Sequence, residues 1–138
     1  MPLYFLHYVL VLLLLLGLDA VWLLTMVNRL YKPELGSLLA DGFRPVPAGI
    51  FYVIYAVGVV GLVLAPALKS GQWQDALWRG ALFGLCAYAT YNLTNLATLR
   101  NWSLNVTLAD IVWGAVLTGL ASVLALLIGS RLARVFGL

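Results

Sequence analysis

Charge is what this sequence has least of. Of its 138 residues, eight are Lys or Arg and five are Asp or Glu, 9% in all, against 64% apolar. At a mean hydropathy of +1.02 a soluble domain with a polar exterior cannot be assembled from it, so the chain reads as a membrane protein. A single cysteine, Cys86, excludes an intrachain disulfide and paired-thiol redox chemistry, and its type suits a small core position. A single histidine, His7, has no second His or Cys with which to build a transition-metal site, and reads as an interfacial side chain near the N-terminus. The net charge of +3 is scattered, without the basic stripe of a nucleic-acid surface. No glycine loop for phosphate and no nucleophile beside a base is present, and no cofactor is implied.

What the chain has instead is apolar runs. A hydrocarbon core of ~30 Å takes about 20 helical residues. Four runs qualify, at about 3–27, 48–68, 73–99 and 106–128, separated by Lys32-Pro33, Arg44-Pro45-Val46-Pro47, Lys69-Ser70-Gly71 and Arg100-Asn101-Trp102-Ser103. The first lacks a leading Lys or Arg and exceeds an h-region, so it is expected to be a retained span rather than a signal peptide. The expected fold is all-α: one domain, 1–138, a four-transmembrane-helix bundle with both termini on one side. Pro33 to Leu39 is expected to form a short amphipathic helix on the surface. Lysines and arginines divide four against four between the two sides, and dilution by Glu34 and Asp41 tips the termini to the cytoplasm. Small residues at Gly80 and Gly84, Gly58 and Gly61, and Gly114, Thr118 and Ser122 mark close helix contacts. Trp73 and Trp78 fit an aromatic belt at one interface, Trp22 and Trp102 at the other.

The few polar residues within the runs are not scattered. Counting 1.5 Å per residue from each midpoint puts Asp19, Tyr52, Tyr55, Asn92, Asn95 and Asp110 roughly 5 to 10 Å from the midplane, all in the leaflet away from the termini. Tyr88, Tyr91, Asn92, Asn95 and Thr98 share one stripe of the third run. Such a stripe must face other helices or a cavity, so a polar pocket open to the nearer interface is expected. Thr107-Leu108-Ala109-Asp110 has the form of a capping box, with Thr107 as N-cap. Asp19 has no such role, and a carboxylate inside a span costs on the order of 3 kcal/mol at a helix centre.

Gly80-Ala81-Leu82-Phe83-Gly84-Leu85 and the stretch from Ala87 to Leu99, together with Leu18-Asp19-Ala20-Val21-Trp22-Leu23, Phe51-Tyr52-Val53-Ile54-Tyr55 and Ala109-Asp110-Ile111-Val112-Trp113-Gly114, resemble domain-of-unknown-function family 2177. The resemblance implies four transmembrane helices in a bacterial inner membrane, and brings no activity. The family motif reads Tyr-Asp-Leu-Thr-Asn where this chain has Asn92, so a three-carboxylate site is not available here.

Three functions compete. In the first, Asp19 and Asp110 are candidate acid/base groups in a pocket that binds, and in one version transforms, a lipid-soluble small molecule. Trp22, Tyr52, Tyr55, Tyr88, Tyr91, Asn92, Asn95, Thr98 and Trp113 then contact the ligand, and a protonated Asp19 donates to its carbonyl or hydroxyl. The second is proton-coupled export of small hydrophobic compounds, for which a homo-oligomer would have to supply the missing half of the path. The third is an assembly or stability factor for another membrane protein. Membrane lipids are the expected partners in all three, and nucleic acid in none.

Overall fold

A computed structural model describes residues 1–138. It contains helices and no strands: α1 (Pro2–Leu38), α2 (Pro45–Ser70), α3 (Trp73–Thr98) and α4 (Leu104–Phe136). Three of them, α1, α2 and α4, are long and apolar enough to cross a membrane. The 26 residues of α3 equal α2 in length but carry Asp75, Arg79, Asn92 and Asn95.

Prolines shape the first two helices. A proline inside a helix lacks an N–H and collides with the carbonyl four residues back. In α1 the turn before Pro33 is π-helical, Val27–Tyr31, and in α2 the turn before Pro66 is π-helical, Val60–Leu64. Both π turns end two residues short of the proline, where the wider i→i+5 bonding absorbs the clash. The helix therefore continues, and Pro33 to Leu39 forms no separate surface helix. It is the end of α1, where the α-helix gives way at Gly36, φ +46°, to a last 3-10 turn that closes at Leu38. The extra residue in the π turn has a further effect. In a regular α-helix nine residues turn about 900°, half a turn out of phase, so Trp22 and Tyr31 would face opposite ways. The π turn removes about one residue of that rotation and puts both on one side.

The closest packing joins α3 to α4. A Cβ on Gly84 would overlap the Gly114 carbonyl, one on Gly114 would overlap the Tyr88 ring, and one on Gly80 would meet Ser122 and the Thr118 carbonyl. The partner numbers fall in one helix as they rise in the other, so the pair is antiparallel, with the close backbone approach that small residues permit. Against this pair α1 packs Val11 and Leu15, and α2 packs Ala56, Val59 and Val63, all buried.

Two singletons are not where composition puts them. His7 is fully buried, seated on Gly129 with Nδ1 2.8 Å from its own helix's Leu3 carbonyl. Gly129 is the reason, because only a residue without a side chain leaves room for an imidazole between α1 and α4. Cys86 lies on the outer face of α3 and is exposed, since Gly80, Gly84 and Tyr88 occupy the face toward α4.

Candidate functional site

The fold converts the scattered polar residues into one connected set. On α1, Asp19 accepts hydrogen bonds on both oxygens, from Tyr52 Oη of α2 and from Trp113 Nε1 of α4 at 2.8 Å. On α4, Asp110 does the same, accepting from Tyr31 Oη at 2.7 Å and from Asn92 Nδ2 of α3 at 2.6 Å. The two carboxylates are 8% and 9% exposed. Their donors are all neutral.

A pair of indoles joins the two halves. Trp22 and Trp113 stack with centroids 4.6 Å apart and planes 5° from parallel. Trp22 Nε1 donates to Tyr31 Oη at 2.9 Å, so the path runs Asp19, Trp113, Trp22, Tyr31, Asp110. The repeated phrase Asp-x-Val-Trp explains the geometry. The helices are antiparallel, so Trp113 meets Asp19 directly, while Trp22 stacks on Trp113 and reaches Asp110 through Tyr31. An indole N–H only donates, so Tyr31 Oη accepts from Trp22 and keeps its own hydrogen for the Asp110 carboxylate.

Around this set stand Tyr55, whose Oη is 2.7 Å from Thr118 Oγ1, and Tyr88, edge-on to Tyr55 at 6.3 Å. Asn92 is fully buried, its Nδ2 also donating to the Tyr88 carbonyl, while its Oδ1 has no partner. Beyond it the third-helix stripe leaves the set. Asn95 is half-buried, Thr98 is exposed with its hydroxyl turned back to the Thr94 carbonyl, and Tyr91 is 59% exposed against the edge of Trp102.

Beside the carboxylates lies a cavity of about 630 Å³. Pro47, Ala48 and Phe51 of α2 form one wall, Ala87, Tyr88 and Tyr91 of α3 the other, and Asp110 the polar point between them. It exists because the first half of α2 diverges from the second half of α3, while the short turn at Gly71 and Gln72 holds their other ends together. The pocket expected from sequence was polar. This one is mostly apolar, because the polar side chains satisfy one another instead of lining it.

Three local expectations are corrected. The N-cap of α4 is Ser103, whose hydroxyl accepts from the Val106 N–H at 3.2 Å. Thr107 sits inside the helix, donating to the Ser103 carbonyl and accepting from Trp102 Nε1. Asp110 is therefore two turns in and caps nothing. Trp22 belongs to the interior stack rather than to an interfacial belt. Tyr31, which sequence reasoning left in a connecting segment, is a central member of the site, and the cavity walls at Pro47, Ala48, Phe51 and Ala87 were also missed. The signal for Tyr31 was Pro33, two residues on, which demands a widened turn just upstream.

No curated protein and no solved structure matches the chain. A family model does, over residues 4–127, a range that includes every member of the hydrogen-bonded set and the whole cavity lining. The chain belongs to the family described as predicted membrane protein (DUF2177).

Proposed function

We propose that this membrane protein binds a lipid-soluble small molecule in the cleft between α2 and α3. The observation that carries the reading is the cleft itself: about 630 Å³, walled by apolar and aromatic side chains, with one carboxylate on its inner face. Binding sites for small molecules have this size and this balance of apolar wall to placed polar group. The wall residues Phe51 and Tyr91 are exposed, so in a bilayer the cleft meets lipid, and a ligand dissolved there reaches Asp110 without crossing water. Four crossings with both termini on the cytoplasmic face of a bacterial inner membrane are part of the same proposal. The support is that α3 runs antiparallel to α4 along its length and is as long as a bilayer is thick.

The test is mass spectrometry of organic extracts from protein purified in mild detergent. An amphiphile retained by the wild type should be lost from Ala87→Trp and Ala48→Trp, which fill the cleft from opposite walls. Retention of the same compounds by both filled variants overturns the reading.

A further inference from the structure

We infer that the ligand of this cleft is a lipophilic cation. The inference rests on the cleft being a binding site, and adds the charge of its occupant.

Asp110 and Asp19 are surrounded by donors. Each oxygen of each carboxylate receives a hydrogen from a neighbour: Tyr31 and Asn92 on Asp110, Tyr52 and Trp113 on Asp19. The Trp22 N–H takes one lone pair of Tyr31 and leaves its hydrogen for Asp110, and Trp113 has no role but donation available to it. A carboxyl group carrying its own proton could pass it only to the Tyr31 or Tyr52 hydroxyl, and that phenol's own hydrogen would then lose the acceptor it has. The network is built for two anions, and charge-assisted bonds of this kind are the stronger for it. Yet none of the donors brings a positive charge. Anions withdrawn from water toward lipid require a counter-charge, and no Lys, Arg or His bonds either carboxylate.

The cleft is where it can be supplied. Asp110 is both a member of the network and a wall of the cleft, and each of its oxygens has lone-pair capacity beyond the single bond it accepts. Tyr88, Tyr91 and Phe51 add aromatic rings, whose faces attract cations. Apolar walls, aromatic faces and an unneutralised carboxylate together select an amphiphile with a delocalised or alkylated positive head. A neutral lipid gains only the walls, and an anionic one is repelled.

Three probes of nearly one shape separate charge from fit: tetraphenylphosphonium, neutral triphenylphosphine oxide and anionic tetraphenylborate. Equilibrium dialysis against protein in zwitterionic nanodiscs measures each, and the part abolished by Ala87→Trp is cleft binding. The phosphonium should bind the cleft roughly tenfold or more tightly than the oxide, the difference that attraction to one partly desolvated carboxylate can supply. The borate should show no cleft binding. In Asp110→Asn the phosphonium should fall to the level of the oxide, while the oxide is unchanged; the new amide can accept from Asn92 Nδ2 with its oxygen and donate to the Tyr31 hydroxyl with its nitrogen, which keeps the fold. Should that variant not fold, the three probes on the wild type decide alone. Equal cleft binding of phosphonium and oxide overturns the cationic ligand and leaves the binding site standing. If Ala87→Trp changes none of the three, the site itself is wrong, and the inference falls with it.

Discussion

Asp19 holds two donors from two other helices, so its substitutions should fail in graded fashion. Asp19→Ala strands the Tyr52 hydroxyl and the Trp113 N–H together, and each buried donor left without a partner costs about 1–3 kcal/mol. Asp19→Asn keeps one acceptor oxygen and strands at most one of them. Thermal unfolding in detergent should rank wild type above Asn above Ala, and equal midpoints for wild type and Ala would show that the bonds contribute nothing. Outside the apolar spans a different carboxylate carries a pH signature. Glu34 accepts from Ser103 Oγ at 2.6 Å and Asn105 Nδ2 at 3.1 Å, tying the end of α1 to the start of α4, and these bonds hold its carboxyl below the ordinary value of 4.5. Because the folded state lowers the value, the tie is complete above about pH 4.5 and is lost as pH falls through the depressed one. Unfolding midpoints should therefore decline on acidification in the wild type more than in Glu34→Gln, by a small margin, since the group is exposed; parallel profiles would rule the tie out.

At the scale of elements, the π turns carry information that hydropathy does not. Hydropathy located the apolar stretch of every helix, because burial in lipid demands a run of apolar side chains whatever packs against it. It placed Asp19, Asn92 and Asp110 in one leaflet for a similar reason: rise per residue is constant in any helix. Rotation about the helix axis is not protected in this way. One residue inserted by the turn at Val27–Tyr31 brings Tyr31 to the site, and a reading that ended the first span at residue 27 left it in the connection. The cap of α4 was misplaced because Ser103 and Thr107 are both good N-caps four residues apart, and only the start of the helix distinguishes them. His7 depended on Gly129, 122 positions away, and nothing local announces such a socket. A substitution isolates the π turn. Pro33→Ala lets α1 continue as a regular helix, which rotates Tyr31 away and frees the Trp22 N–H. Ultraviolet resonance Raman, which reports indole hydrogen bonding, should show the same lost bond in Pro33→Ala as in Tyr31→Phe; an unchanged Trp22 signal in Pro33→Ala would mean that the turn persists without the proline.

The molecule as a whole is organised by antiparallel complementarity. A carboxylate and an indole three residues apart on α1 meet the same pair reversed on α4, and this works only if the two helices run in opposite directions at one register. Gly80 and Gly84 impose the equivalent constraint between α3 and α4, through a backbone approach that any larger residue prevents. With α2 returning from α1 through the connection at 39–44, each helix alternates in direction, which is the basis for proposing four crossings even though α3 is the most polar of the set. The alternative is a chain that crosses three times, with α3 lying outside the hydrocarbon. The two topologies place the ends of the chain differently. With Cys86 replaced by Ser, single cysteines at the exposed positions Asp41, Gln72, Asn101 and Leu138 report sidedness through a membrane-impermeant maleimide. Four crossings with cytoplasmic termini make Asp41→Cys and Asn101→Cys reactive in intact spheroplasts, and leave Gln72→Cys and Leu138→Cys unreactive until the membrane is broken. Three crossings separate Gln72 from Leu138. Reactivity at Leu138→Cys with protection at Gln72→Cys would therefore remove α3 from the membrane, and a lipid-facing cleft between α2 and α3 would go with it.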